Sequence, residues 1–393
     1  MHRLPIRSIP ILLLAACASV EPPKAQTLER EPDAAPALAA VEFAIDERPE
    51  RQHYVALRAP ETLAIDGSLD EAAWTAAPST ATFVDIQGDP LPEPRLATSA
   101  KMLWDAEYLY IGVVMVEPHL WATLTERDSV IFYDNDFEVF LDPDDDTHNY
   151  YELEINALGT EWDLLLQKPY RDGGPALNEF DTPGLLSAVR LVGTLNDPSD
   201  LDEGWSMEIA IPWNALRAIA GRTVPPVDGD VWWANFSRVE WKLDVAPTDA
   251  GDTYVKRTNE AGASLPEDNW VWSPQGVIAM HEPESWGLVM FADQLATEFD
   301  PSSPRAFVAP ADFEQRGFLR AVYESQAAFR AQHGLFSEAS AELGINPKDL
   351  GDWALALHTT PSGYEARLTW SAISADGTRV SHTLRIDEQG HIW

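Results

Sequence analysis

Aspartates recur on alternate residues in Asp142-Pro143-Asp144-Asp145-Asp146. Carboxylates so spaced in a turn offer several oxygens to a hard cation such as Ca2+, although the turn glycine and distal glutamate of a complete EF-hand loop are missing. A second group is aromatic and basic: Trp162-Asp163, then Tyr170-Arg171-Asp172-Gly173-Gly174. A third comprises Asn235, Arg238 and Trp241, with Trp270 and Trp272 in Trp270-Val271-Trp272-Ser273-Pro274. Aromatic rings beside carboxylates, amides and arginines suit sugars, because the C–H face of a pyranose stacks on a ring while its hydroxyl rim both donates and accepts hydrogen bonds. Each group also has a structural reading: the tryptophans as core, Arg238 as the partner of a structural carboxylate. Motifs of catalysis are absent, with no Gly-x-Ser-x-Gly, no His-Glu-x-x-His and no phosphate-cradling glycine loop. A glycosidase needs two carboxylates about 5–10 Å apart. With 64 acidic residues in the chain, a chance pair decides nothing. The expectation is a non-catalytic binding protein, with glycoside hydrolysis the minority reading.

Charge narrows the partners. A formal net charge of −37 repels phosphate backbones, which argues against nucleic acid and for neutral ligands or cations. Fifteen tryptophans supply large rigid apolar faces for cores and ligand sites alike. Arg3 and Arg7, the short apolar run Ile9 to Ala16 and the small residues that follow read as a secretory signal too short to span a bilayer. Leu14-Ala15-Ala16-Cys17 resembles the bacterial lipoprotein cleavage box, and Cys17 is the single cysteine. That resemblance implies a lipid on Cys17 and, with Ala18 following, the outer membrane of a Gram-negative bacterium. The membrane would then be met through the lipid anchor only.

Five segments follow: a lipoprotein signal peptide at 1–16, a Pro-, Ala- and Glu-rich tether at 17–50, a large domain at 51–295, a Pro-marked linker at 296–310 and a small module at 311–393. Period-two runs in the large domain predict strands over Lys101 to Trp104, Tyr108 to Val116, Phe137 to Leu141, Tyr151 to Ile155, Trp205 to Ile211, Val231 to Val239 and Trp286 to Phe291. The fold class is mainly β, an antiparallel, jelly-roll-like sandwich. In the last module, apolar Phe318, Val322 and Phe329 predict a helix stopped by Gly334. Runs at Trp353 to Thr359, Tyr364 to Ser371 and Val380 to Ile386 predict a three-stranded meander, making a small α+β unit.

Ile65-Asp66-Gly67-Ser68-Leu69-Asp70-Glu71-Ala72-Ala73-Trp74 resembles the opening of family 9 carbohydrate-binding modules (DOMON-like). Leu103 to Tyr110, Asp134 to Asp142, Glu208 to Trp213 and Trp286-Gly287 resemble their later strands, in the same order over about 240 residues. The resemblance implies a sugar-binding β-sandwich, often beside glycoside hydrolases and often containing calcium. It also implies Glu138 as a rim carboxylate, Asn156 as a rim amide and Trp272 as a stacking platform. Its second platform falls on Phe132, with Tyr133 adjacent, and Glu154 stands where ligand-binding members can carry a basic residue. The expected function is glycan or polysaccharide binding by an envelope lipoprotein supporting polysaccharide catabolism. The alternative is a structural envelope protein whose sugar site has been lost. Residues 311–393 would dock on the sandwich or on an envelope partner.

Overall fold

The structure, a computed structural model, describes residues 38–43, 48–374 and 376–393. The signal segment and Cys17 lie outside the described residues. Strands form one large ladder in the order Ala176–Leu177, Glu161–Leu166, Tyr150–Asn156, Asp136–Asp142, Val231–Glu240, Gly287–Leu295, His53–Arg58, Thr98–Trp104, Tyr108–Val116, Gly204–Pro212 and Leu186–Val192. The ladder folds over on itself as a sandwich, its two end strands unpaired with each other. Phe137, Val139, Tyr151 and Phe236 from one half meet Met102, Ile111, Met207 and Ile209 from the other in a single core. Each predicted strand is present. Antiparallel pairing holds except at His53–Arg58, which runs parallel to both neighbours, Gly287–Leu295 and Thr98–Trp104. Parallel neighbours need long connections, and this strand enters from the N-terminal side with no hairpin partner to betray it.

The Ile65-to-Trp74 motif has a structural cause. Glu208, fully buried, accepts the N–H groups of Asp66 and Gly67 at 2.8 Å each and the indole N–H of Trp74 at 2.7 Å. Gly67 sits at φ +88°, and a Cβ there would lie 2.8 Å from the Arg190 nitrogen, so only glycine fits. One carboxylate thus pins a turn and a core tryptophan to the sheet.

Arg238 joins the two halves of the sandwich. It is 1% exposed. Its guanidinium donates to Glu117 at 2.8 Å, Glu240 at 2.9 Å, and the Thr98 hydroxyl and Val116 carbonyl at 3.0 Å each. Every donor direction is spent on the fold, so the expectation of a ligand contact is corrected. Burial, then Glu240, push the Glu117 carboxyl up to about 8 against the pull of Arg238.

Residues 313–393 form the expected helix, Phe313–His333, ended by Gly334 at φ +77°, and the meander Ala354–Thr359, Tyr364–Ile373 and Arg379–Asp387. They have their own apolar cluster around Phe318, Phe329, Leu368 and Ile386. They are not separate, however, since residues 40–393 make one compact unit. Phe307, within the expected linker, stacks 4.8 Å from His53. Val41 and Phe43, within the expected tether, pack on the C-terminal cluster. At the joint, Glu284 meets Arg320 at 2.8 Å, Arg171 at 3.0 Å and Arg48 at 3.3 Å. Burial alone would raise the Glu284 carboxyl; Arg320, Arg171 and Arg48 outweigh it and hold it well below the usual range. Arg171, expected near a sugar, is therefore part of this joint.

Breaking one member of a buried ion pair strands its partner's charge, at about 3–5 kcal/mol. Arg238→Ala should lose that much in urea unfolding, with the midpoint lowered.

Candidate functional site

Alternation in Asp136–Asp142 sends Phe137, Val139 and Leu141 into the main core and Asp136, Glu138, Phe140 and Asp142 to the opposite face. The next strand continues the pattern. Its register places Asn156 beside Asp136, Glu154 beside Glu138 and Glu152 beside Phe140. Ser237 flanks Glu138 on one side, and Trp162 flanks Glu154 on the other. The result is an acidic floor of Asp136, Glu138, Glu152 and Glu154, which are 0%, 6%, 4% and 2% exposed.

The floor lacks compensation. Glu154 accepts the Phe132 N–H at 2.9 Å and Asp136 accepts the Val239 N–H at 3.3 Å. The second oxygen of Asp136, one oxygen of Glu152 and the indole N–H of Trp162 are buried with no partner. Burial first, with the other floor acids adding, raises Asp136, Glu152 and Glu154 well above the carboxylate range. Burial likewise pushes Glu138 up to about 7, with Glu267 adding to it and a bond from Ser237 opposing it.

Two tyrosines stand beside the floor. Tyr133, 54% exposed, follows Phe132, whose N–H holds Glu154. Tyr170 is 49% exposed. Burial, then proximity to Glu152 and Glu154, raises its hydroxyl. Its ring rests edge-on against His281 at 4.5 Å. His281, lowered to about 4 by burial, is neutral at pH 7 and pairs with the Tyr150 hydroxyl at 2.9 Å. Beyond Tyr133, Lys256 lies 3.3 Å from the Trp241 ring centre and 5.5 Å from that of Tyr133.

The remaining expected site residues sort differently. Trp272 is core, not platform: it is 2% exposed, packs 5.8 Å from Phe236, and fills the space left by Gly287, where a Cβ would lie 2.5 Å from its ring. Trp270, 3% exposed, packs under Arg238 and Arg95. Asn156 is not a rim amide. Its NH2 donates to the Leu124 carbonyl at 2.9 Å and Asp134 at 3.0 Å, and its oxygen accepts the N–H groups of Leu158 and Thr160 at 3.0 Å each. Its oxygen holds the following turn and its NH2 ties that turn to Leu124 and Asp134, so its hydrogen-bonding capacity is spent. Phe132 is half-buried, packed on the apolar cluster that includes Trp162, its ring 4.8 Å from that of Tyr133. Trp162, 8% exposed, remains on the floor's face. Glu152 and Asp136 went unrecognised as site residues, although the alternation Tyr151-Glu152-Leu153-Glu154-Ile155 already put two acids on one face.

The acidic turn is adjacent in sequence. Oxygens of Asp142, Asp144 and Asp146 lie within 4.8 Å of one another. Asp142 accepts the N–H groups of Asp145 at 3.2 Å and Thr147 at 2.9 Å. Asp145, Thr147 and Asn149 all adopt left-handed backbone, at φ 65°, 72° and 53°, an unusual concentration for residues other than glycine. One Asp144 oxygen is buried without a partner. These oxygen donors fit a hard cation.

Residues 65–228 match the family described as carbohydrate family 9 binding domain-like. This stretch is similar to that family. It includes the floor, Tyr133, Tyr170 and the acidic turn, and stops before Arg238, Trp241, Trp270 and Trp272. Exoglucanase XynX of Acetivibrio thermocellus is 26% identical over 164 residues, 42% of this chain; the match spans only 13% of that protein's length. A family 9 module from Caldicellulosiruptor kristjanssonii in complex with cellotriose aligns with a TM-score of 0.39 and 13% identity, over 64% of this chain and 100% of its own. A protein from Bacteroides uniformis named for carbohydrate binding aligns with a TM-score of 0.44 and 16% identity, over 62% of this chain and 100% of its own.

Truncating a buried tryptophan costs about 3–5 kcal/mol through lost burial and the cavity left behind. Trp272→Ala should therefore lower the melting temperature markedly. Any ligand affinity measured on the folded fraction should be unchanged.

Proposed function

We propose that the family 9-like module binds a glycan on the face bearing Glu138, Glu152 and Glu154, without catalysis. The observation that carries this is the pairing of two half-exposed tyrosines, Tyr133 and Tyr170, with one acidic floor that has unpartnered polar atoms at Glu152 and Trp162. Rings supply the apolar platform and the floor supplies acceptors for hydroxyls. The buried indole N–H supplies a donor. Cello-oligosaccharides are the first probes, after the cellotriose complex of the similar module. Tyr133→Ala and Tyr170→Ala should each leave the melting temperature nearly unchanged and weaken binding by about 1 kcal/mol, roughly fivefold in Kd. Unchanged titrations in both variants would move the site elsewhere.

A structural envelope role with a lost sugar site is favoured by one observation, the withdrawal of Trp272 into the core. A glycan array with no hits would support it. Sugar release from polysaccharide would instead support the hydrolase reading. The proposal extends to context: a Cys17 lipid anchor in an outer membrane, a part in polysaccharide catabolism, and structural Ca2+ at Asp142, Asp144 and Asp146. The hairpin end with Ile373 and Val380, 65% and 38% exposed, is where an envelope partner would dock. Cys17→Ser should shift the protein out of the membrane fraction, and fractionation unchanged from wild type would overturn the anchor.

A further inference from the structure

We propose that Asp136, Glu138 and Glu154 hold a divalent cation, best matched by Ca2+, on the floor of this same face and distinct from the acidic turn. Each of the three offers an oxygen within 4.8 Å of the other two. Oxygens on opposite sides of a calcium ion, each at about 2.3–2.6 Å, stand about that far apart. The donors are all carboxylates, with no cysteine or histidine among them, which suits a hard cation and not zinc or copper.

A cluster of acids alone would be weak ground, but a fourth residue points the same way. Glu152 lies two residues from Glu154 on the same strand, hence on the same face. It is 4% exposed, and one of its oxygens has no partner. Asp136, with no exposure at all, also leaves one oxygen unpartnered. Buried polar atoms in native proteins are satisfied almost without exception, and those left over mark a missing water, ion or ligand. No lysine, arginine or histidine pairs with any of the four acids among the described residues. Elsewhere the chain compensates its buried carboxylates with arginine, at Glu117, Glu240 and Glu284. At the floor a divalent cation would supply the charge that arginine supplies at those three sites. Water or ligand hydroxyls would complete the ion's coordination. The inference does not depend on the glycan reading, because the ion is measured with no sugar present.

The test uses the full chain with the acidic turn disabled by Asp144→Asn and Asp146→Asn. This background should still bind one Ca2+ by native mass spectrometry. Its melting temperature should rise with Ca2+ concentration, as mass action requires of an ion bound only by the folded state. Adding Glu154→Gln, which keeps shape and removes charge, should abolish both signals; Asp136→Asn should do the same if Glu154→Gln fails to fold. Tryptophan-sensitised emission from bound Tb3+ should be weaker in Trp162→Phe than in the background. No Ca2+ bound by the turn-disabled protein, or binding that survives both floor substitutions, would overturn the proposal.

Discussion

A strand's pleat sends successive side chains to opposite faces, and the strand Asp136–Asp142 uses that constraint to do two incompatible things at once. Phe137, Val139 and Leu141 are core. Asp136, Glu138 and Asp142 are acids with almost no exposure. Neither set can shift by one residue without putting carboxylates among the aliphatic side chains of the core, which burial of charge forbids. The register of both neighbours follows. Tyr150–Asn156 must set Tyr151, Leu153 and Ile155 against the core, and this lines up Glu152 and Glu154 with the acids of the first strand. The candidate site is therefore a consequence of core packing as much as an addition to it.

Charge is distributed unevenly over this frame. The chain is strongly acidic, and its arginines are placed where structure needs them. Arg238 ties the halves of the sandwich through Glu117 and Glu240. Arg48, Arg171 and Arg320 converge on Glu284 where the C-terminal helix meets the sandwich. Such pairs fix geometry more than they add stability, because desolvation offsets most of the attraction. With arginine spent at these joints, the acids of the floor under Tyr133 and Tyr170 have no cationic side chain paired with them among the described residues. That leaves it suited to cations and to hydroxyl-rich ligands, and unsuited to anions.

The C-terminal unit shows how composition can mislead about separation. Prolines at 301, 304 and 310 read as a linker, and the Pro- and Ala-rich stretch before residue 51 reads as a tether. Yet Phe307 packs on His53, and Val41 and Phe43 pack on the C-terminal cluster. Isolated aromatic residues in polar stretches were the only local sign, and their partners lie hundreds of residues away.

Local pattern by itself determined the strands of the sandwich, the helix with its glycine stop and the meander, because period-two and period-3.6 alternation and turn residues act over a few neighbours. It also determined the acidic turn as a cation candidate and the family likeness of the ordered motifs. What tertiary structure alone decided is which polar and aromatic residues remain available. Trp272 follows the strand Asp268–Val271 and Tyr133 closes the short turn Ile131–Tyr133, but Gly287 opens a slot that takes Trp272 into the core while Tyr133 stays half exposed. Asn156 and Arg238 look like ligand contacts until Leu124, Asp134, Glu117 and Glu240 are seen to use all they offer. Burial and hydrogen-bond saturation depend on residues brought from remote parts of the chain, so no local pattern could reveal them.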